Sequence, residues 1–257
     1  MAKTRSVRAT KASPKKTRRS RGDQPQEVQC NIEPLVARRN TEPITPKTEN
    51  QKRYLSALKS FALTFGVGPA GTGKTYVAGA YAAQLLEART VDKIIVTRPA
   101  VEAGESLGFL PGELDEKYAP FLQPLREVLA ERLGAGQVDY LLKSGRIEAV
   151  PLAYMRGRTF KNAFVILDEA QNTTPKQMKL FLTRIGEGCR VVVDGDIKQS
   201  DLGTKISGLE DAVKRLSHIP SVKVINFTRN DIVRSGLVAE VAAAYENPAP
   251  GMGLDVL

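Results

Sequence analysis

Residues 68–75 read Gly-Pro-Ala-Gly-Thr-Gly-Lys-Thr, a complete G-x-x-x-x-G-K-[ST] motif. An apolar run, Phe61-Ala62-Leu63-Thr64-Phe65-Gly66-Val67, precedes it, and a helical pattern from Tyr76 to Ala88 follows. Strand, glycine loop and helix in that order make a phosphate-binding loop. Gly68, Gly71 and Gly73 let the backbone curl so that its N–H groups point inward at an anion. The N-terminal end of the following helix adds partial positive charge. Gly68, Pro69, Ala70, Gly71, Thr72, Gly73, Lys74 and Thr75 therefore form the candidate cradle for a nucleoside triphosphate, ATP with Mg²⁺. Lys74 suits the β- and γ-phosphates, and the Thr75 hydroxyl suits the metal.

A second string, Phe164-Val165-Ile166-Leu167-Asp168-Glu169, is an apolar strand ending in two acids. A strand-terminal Asp at this place in a phosphate-loop enzyme holds the Mg²⁺ shell, which is the role expected of Asp168. The next carboxylate, Glu169, is placed to act as general base on an attacking water. Two acids at a strand end also occur in ordinary turns; the complete loop upstream is what gives this pair its reading. A third apolar run, Arg190-Val191-Val192-Val193-Asp194, leads into Gly195-Asp196-Ile197-Lys198-Gln199. Gln199 is a candidate for reaching the γ-phosphate, although the string also reads as a strand followed by a polar turn.

Strands and helices alternate along the chain. The expected strands are 62–66, 93–97, 147–151, 163–168, 190–194 and 222–227, and the expected helices 74–88, 114–133, 137–144, 175–183, 208–216 and 232–245. A further helix is expected to start after Thr48 as N-cap and to carry Gln51, Tyr54, Leu55 and Leu58. Ile94-Ile95-Val96 and Phe164-Val165-Ile166-Leu167 are apolar without alternation, as strands covered on both faces are. The fold class is thus α/β, a mostly parallel sheet with helices on both faces. The stretch from Pro99 to about Gly145 is a long insertion, expected to place a loop and a helical pair at the C-terminal edge of the sheet.

Charge is unevenly spread. The chain of 257 residues carries a net charge of +10, and nine basic residues between Lys3 and Arg21, with no acid among them, supply nearly all of it. Residues 1–47 are rich in Pro, Ser, Thr, Lys and Arg and too poor in large apolar residues to offset the entropy of ordering. They form a basic, largely disordered extension, readable equally as a nucleic-acid contact or as a solubilising tail. The folded part is 48–247, and 248–257 is a short flexible tail. No stretch approaches the roughly 20 apolar residues needed to span a bilayer, so no membrane role is expected. Two cysteines and one histidine, His218, leave no material for a disulfide framework, a zinc cluster or a histidine triad. A reducing cytoplasm is the expected compartment.

The three motifs together resemble the core of superfamily 1 helicases, and more closely the PhoH-like ATPase family. The resemblance covers Thr48 to Tyr245. Besides the glycine loop, the strings that carry it are Thr97-Arg98-Pro99-Ala100-Val101, Gly104-Glu105-Ser106-Leu107-Gly108-Phe109-Leu110-Pro111-Gly112, Tyr154-Met155-Arg156-Gly157-Arg158-Thr159-Phe160, Ile166 to Asn172 and Asp231 to Val238. It implies a RecA-like phosphate-loop lobe that binds and hydrolyses ATP. It also implies that Gln51 reads adenine, and that Thr97, Arg98 and Pro99 end a strand where single-stranded nucleic acid, with RNA favoured, is touched. Arg156, Arg158, Arg229 and Arg234 become candidates for an arginine on the γ-phosphate, each also readable as ordinary surface charge. About 200 folded residues make a single lobe, whereas helicases of this kind close their site between two. A neighbouring subunit is then expected to supply the missing face, in a homo-oligomer such as a hexameric ring. Two competing readings stand beside this one: a small-molecule kinase, which Glu169 argues against, and a nucleotide-gated binding module with incidental turnover.

Overall fold

In the computed structural model, the described residues are 39–99, 114–201 and 206–233, with the side chains of 114–121 also outside the description. Residues 234–245 of the expected helix 232–245, the tail 248–257, Arg234, Cys30, residues 1–38 and the insertion loop 100–113 lie outside the described residues, and Ile232 and Val233 are not helical.

Thr48 caps the first helix, α1 (Glu49–Ser60), by accepting a hydrogen bond from the Gln51 N–H. The chain then runs β1 (Leu63–Val67), α2 (Lys74–Glu87), β2 (Lys93–Thr97), α3 (Leu114–Leu133), α4 (Ala135–Lys143) and β3 (Ile147–Ala149). It continues through β4 (Ala163–Leu167), α5 (Pro175–Leu182), β5 (Arg190–Gly195), α6 (Gly208–Leu216) and β6 (Val222–Asn226). All six strands are parallel, in the order β3-β2-β4-β5-β1-β6. Strand period assigns the two cores. Ile94, Val96, Phe164, Ile166 and Val192 face α1, α2, α3 and α4, whereas Ile95, Val165, Leu167, Val191 and Val193 face α5 and α6. The result is a single α/β lobe of RecA-like type with a phosphate loop, its sheet covered on both faces.

The α3–α4 pair packs onto the α2 face of the sheet, and α3 also reaches the C-terminal edge, where Pro124 and Leu125 line a crevice with Thr75 and Asp168. Leu125, Leu129, Leu133, Val138 and Leu141 pack the pair into the same core as α2. Residues 39–47, assigned by composition to the extension, are bonded to α3: the Asn40 N–H donates to Glu131 O at 2.8 Å, and Arg132 donates to the Glu42 carbonyl at 2.5 Å. Among the described residues no helix is long and apolar enough to cross a membrane. His218 is exposed, just beyond α6.

Candidate nucleotide site

The C-terminal ends of β1, β4 and β5 lie along one edge of the sheet, because these strands are parallel and in close register: Val67 pairs with Gly195, and Leu167 with Val193. Each end feeds one sequence motif. After β1, the loop 68–73 turns through left-handed backbone at Gly68 (φ 144°), Gly71 (φ 78°) and Gly73 (φ 79°), angles that side chains rarely tolerate. Gly68 has a second constraint: a Cβ there would sit 2.4 Å from the Phe227 carbonyl oxygen. The segment after β6 crosses the loop at that point, and the Val233 N–H donates to Gly71 O at 3.0 Å.

Lys74, the first residue of α2, is 8% exposed. Its ammonium donates to the carbonyls of Gly68 (2.7 Å) and Pro69 (2.8 Å) and to Thr72 Oγ1 (3.2 Å), so the loop curls around its own cation. Burial pulls the Lys74 ammonium below its ordinary range, against the opposing pull of Asp194, Asp168, Asp196 and Glu169. Four carboxylates thus act on this one cation.

Thr75 and Asp168 line one narrow crevice with Arg98 and Pro124. The Asp168 N–H bonds the Thr97 carbonyl at 3.0 Å, and its Oδ1 accepts from the Glu169 N–H at 3.0 Å. Burial pushes the Asp168 carboxyl up, while the Arg98 guanidinium holds it down. A hydroxyl and a carboxylate sharing a crevice at the mouth of a phosphate loop fit Mg²⁺, a hard cation that takes one or two protein oxygens and fills its shell with phosphate and water. Glu169 stands on a left-handed backbone (φ 51°). Its Oε1 bonds Arg98 at 2.6 Å and its Oε2 accepts from Gln171 Nε2 at 2.6 Å.

The remaining candidates divide. Gln51 is buried at the foot of the loop: its Nε2 donates to the Thr72 carbonyl at 2.9 Å and its Oε1 accepts from the Lys47 N–H at 2.8 Å. The amide braces the loop with both ends. Gln199 is exposed in the turn 197–199 beyond β5. Arg229 is exposed in the turn 229–231 that leads across the glycine loop. Arg156 is exposed, and Arg158 pairs with Glu148 at the β3 edge of the sheet. Thr97 is fully buried and Pro99 is buried, so only Arg98 of that triplet offers a partly exposed side chain.

A profile of the PhoH-like protein family matches residues 43–246. The chain belongs to the PhoH-like protein family. It is 51% identical over 222 residues to a PhoH-like protein of Mycobacterium tuberculosis (strain H37Rv), covering 86% of this chain and 63% of that one. It is 53% identical over 205 residues to a PhoH-like protein of Bacillus subtilis (79% and 64% covered), and 50% identical over 210 residues to protein PhoH of Escherichia coli K12 (80% and 59%). This PhoH-like chain therefore spans about three fifths of the length of those relatives. Among solved structures, it is similar to the large terminase of a thermophilic bacteriophage (TM-score 0.48, 11% identity, 80% of this chain and 52% of that one). It is also similar to the UvsW helicase of bacteriophage T4 (TM-score 0.44, 10% identity, 74% and 63%).

One part of the PhoH-like site escaped the sequence reading. Asp194 is fully buried in β5, where the Tyr54 hydroxyl donates to Oδ1 (2.6 Å) and Oδ2 (2.8 Å). Gly66 on the neighbouring strand makes the room, since a Cβ there would come within 2.2 Å of Asp194 Oδ1. The available signal was an acid ending an apolar strand in register with a glycine. Burial pushes the Asp194 carboxyl from its ordinary 3.8 up to about 7, against the Tyr54 hydrogen bond. A carboxyl raised in the folded state stabilises the fold when protonated. That stability is fully present below about pH 4 and is lost as pH rises through about 7. Asp194→Asn is expected to flatten this slope and to equal or exceed the parent in stability above pH 7, by up to a few kcal/mol. Denaturant unfolding across the pH range checks it; a parent protein that gains stability between pH 4 and 7 while the variant does not would contradict it.

Proposed function

We propose that this PhoH-like protein binds Mg·ATP at the glycine loop and hydrolyses it, coupling turnover to single-stranded nucleic acid, RNA before DNA. The convergence of Lys74, Thr75, Asp168 and Glu169 at the shared ends of β1 and β4 carries the reading. In it, the loop N–H groups and Lys74 receive the phosphates, and Thr75 with Asp168 holds the metal. Mg²⁺ supplies charge neutralisation on the phosphates when bound. Glu169 takes a proton from the attacking water. Gln51 is kept as the candidate contact to the adenine, Arg229 as a candidate arginine for the γ-phosphate, and Gln199 as a further γ-phosphate candidate in the turn beyond β5. Arg234 is kept as a candidate contact from the next segment.

A single lobe presents one face of such a site. A second copy would close it and add an arginine, an effect worth about 10³–10⁵ in rate in well-studied nucleotide hydrolases. We propose a homo-oligomeric ring, a hexamer, acting in a reducing cytoplasm. The basic extension between Lys3 and Arg21 would add phosphate contacts that weaken with salt.

The test is ATP hydrolysis with and without single-stranded RNA or DNA across a salt series, with sizing in solution plus and minus a non-hydrolysable ATP analogue. Stimulation by RNA of at least several-fold that fades with salt is expected, with the analogue favouring the larger species. Phosphate transfer to a metabolite, or nucleic-acid binding indifferent to ATP and to Lys74→Ala, would sink the proposal.

A further inference from the structure

The Glu169 carboxylate is gripped from two sides by groups of unequal freedom. Gln171 is 3% exposed. Its Oε1 accepts from the Asp196 N–H at 3.1 Å while its Nε2 donates to Glu169 Oε2 at 2.6 Å. An N–H can only donate, so the Asp196 contact fixes which end of the amide faces Glu169. Gly195 walls the amide in, because a Cβ there would lie 2.5 Å from Gln171 Oε1. This half of the grip is built into the tip of β5. The other half is the ion pair from Arg98 to Glu169 Oε1 at 2.6 Å, whose side chains are 23% and 38% exposed. Solvent, and any anion in it, reaches this pair.

We propose that Arg98 and Gln171 are positioning residues for Glu169. Gln171 holds the carboxylate in line, and Arg98 restrains it until a backbone phosphate of a single-stranded nucleic acid takes the guanidinium. The inference rests on the ATPase and strand-binding reading above and names how the strand would regulate that site. A guanidinium matches two phosphate oxygens in parallel, so a backbone phosphate would compete with the Glu169 carboxylate for Arg98. Once released, Oε1 accepts the proton of the attacking water as its oxygen bonds to the terminal phosphorus and the bond from phosphorus to the ADP oxygen breaks. ADP and inorganic phosphate leave, and Glu169 returns the proton to solvent. A partly exposed ion pair restrains such a step by about fivefold at most.

The experiment measures kcat and KM of the full chain at saturating Mg·ATP, with and without a single-stranded uridine homopolymer. Arg98→Ala is expected to raise unstimulated kcat up to about fivefold and to leave no further stimulation by the homopolymer. Gln171→Ala is expected to lower kcat about tenfold in both conditions with KM unchanged. Opposite signs from two residues on one carboxylate are not what lost stability produces, and thermal midpoints are recorded alongside. In a Glu169→Gln background, Arg98→Ala should change nothing. If Arg98→Ala fails to fold, Arg98→Lys carries the test, with a ratio of stimulated to unstimulated rate between those of the parent and unity. A fall in unstimulated kcat for Arg98→Ala would assign the guanidinium to the nucleotide's own phosphate and overturn the restraint, as would two unchanged rates. A parent enzyme that no strand stimulates sinks the function proposed above. A stimulated parent whose Arg98→Ala variant is stimulated equally sinks this inference alone.

Discussion

Lys74→Ala is expected to lower ATP turnover by at least 10²–10³-fold, roughly the scale on which one buried donor to developing charge is worth in enzymes. The reason is electrostatic. The Lys74 ammonium lies in the field of Asp194, Asp168, Asp196 and Glu169. Without it, a triphosphate would enter a pocket of net negative charge, and nucleotide affinity should fall with the rate. The variant also strips a donor from the carbonyls of Gly68 and Pro69, so the loop loses its internal brace. The brace from Gln51 to the Thr72 carbonyl remains, and the fold should survive. Turnover assays, nucleotide titration and a thermal midpoint read these three effects separately. Turnover at the parent rate would remove the site from residues 68–75.

Legibility followed sequence distance. The glycine loop, Thr48 as N-cap and the continuous apolar strands are local features, and their positions were readable because each is enforced within a few residues. α3 and α6 took the expected bounds, and the described strand ends moved by no more than two residues. α4 starts two residues early because Gly134, with no side chain to cap it, gives no start signal. α3 runs through Pro120 and Pro124, which each lack an amide donor; burial of Leu125, Leu129 and Leu133 outweighs the missing bonds. The cross-chain contacts were not legible. Tyr54 meets Asp194 across 140 residues, and Arg98 meets Glu169 across 71. Both meetings depend on strand order, β5 beside β1 for the first and β2 beside β4 for the second, which alternation of strands and helices does not specify. The residues of the chemistry were therefore visible one motif at a time, and what each of them holds was not.

Glu169→Gln is expected to keep nucleotide affinity within a fewfold of the parent and to lower hydrolysis by about 10²–10⁴-fold, the range that a general base contributes. The substitution keeps shape and removes charge, and the two partners of the carboxylate sharpen the prediction. Arg98 and Gln171 Nε2 are both donors. A carboxylate satisfies both, whereas an amide offers oxygen to one and an NH₂ group to the other. Gln171 cannot turn to match, because its oxygen already accepts from the Asp196 N–H. The new amide must therefore face Arg98 or Gln171 donor to donor, and the partly exposed Arg98 is the one with room to yield. Lys74, Thr75 and Asp168 are untouched, so the phosphates and metal keep their ligands while the proton acceptor is gone. A single-turnover experiment with labelled ATP separates the two: bound nucleotide should accumulate unhydrolysed. Phosphate release at the parent rate from that bound state would show that a group other than Glu169 accepts the proton. The Arg98–Glu169–Gln171 contacts would then be structural only.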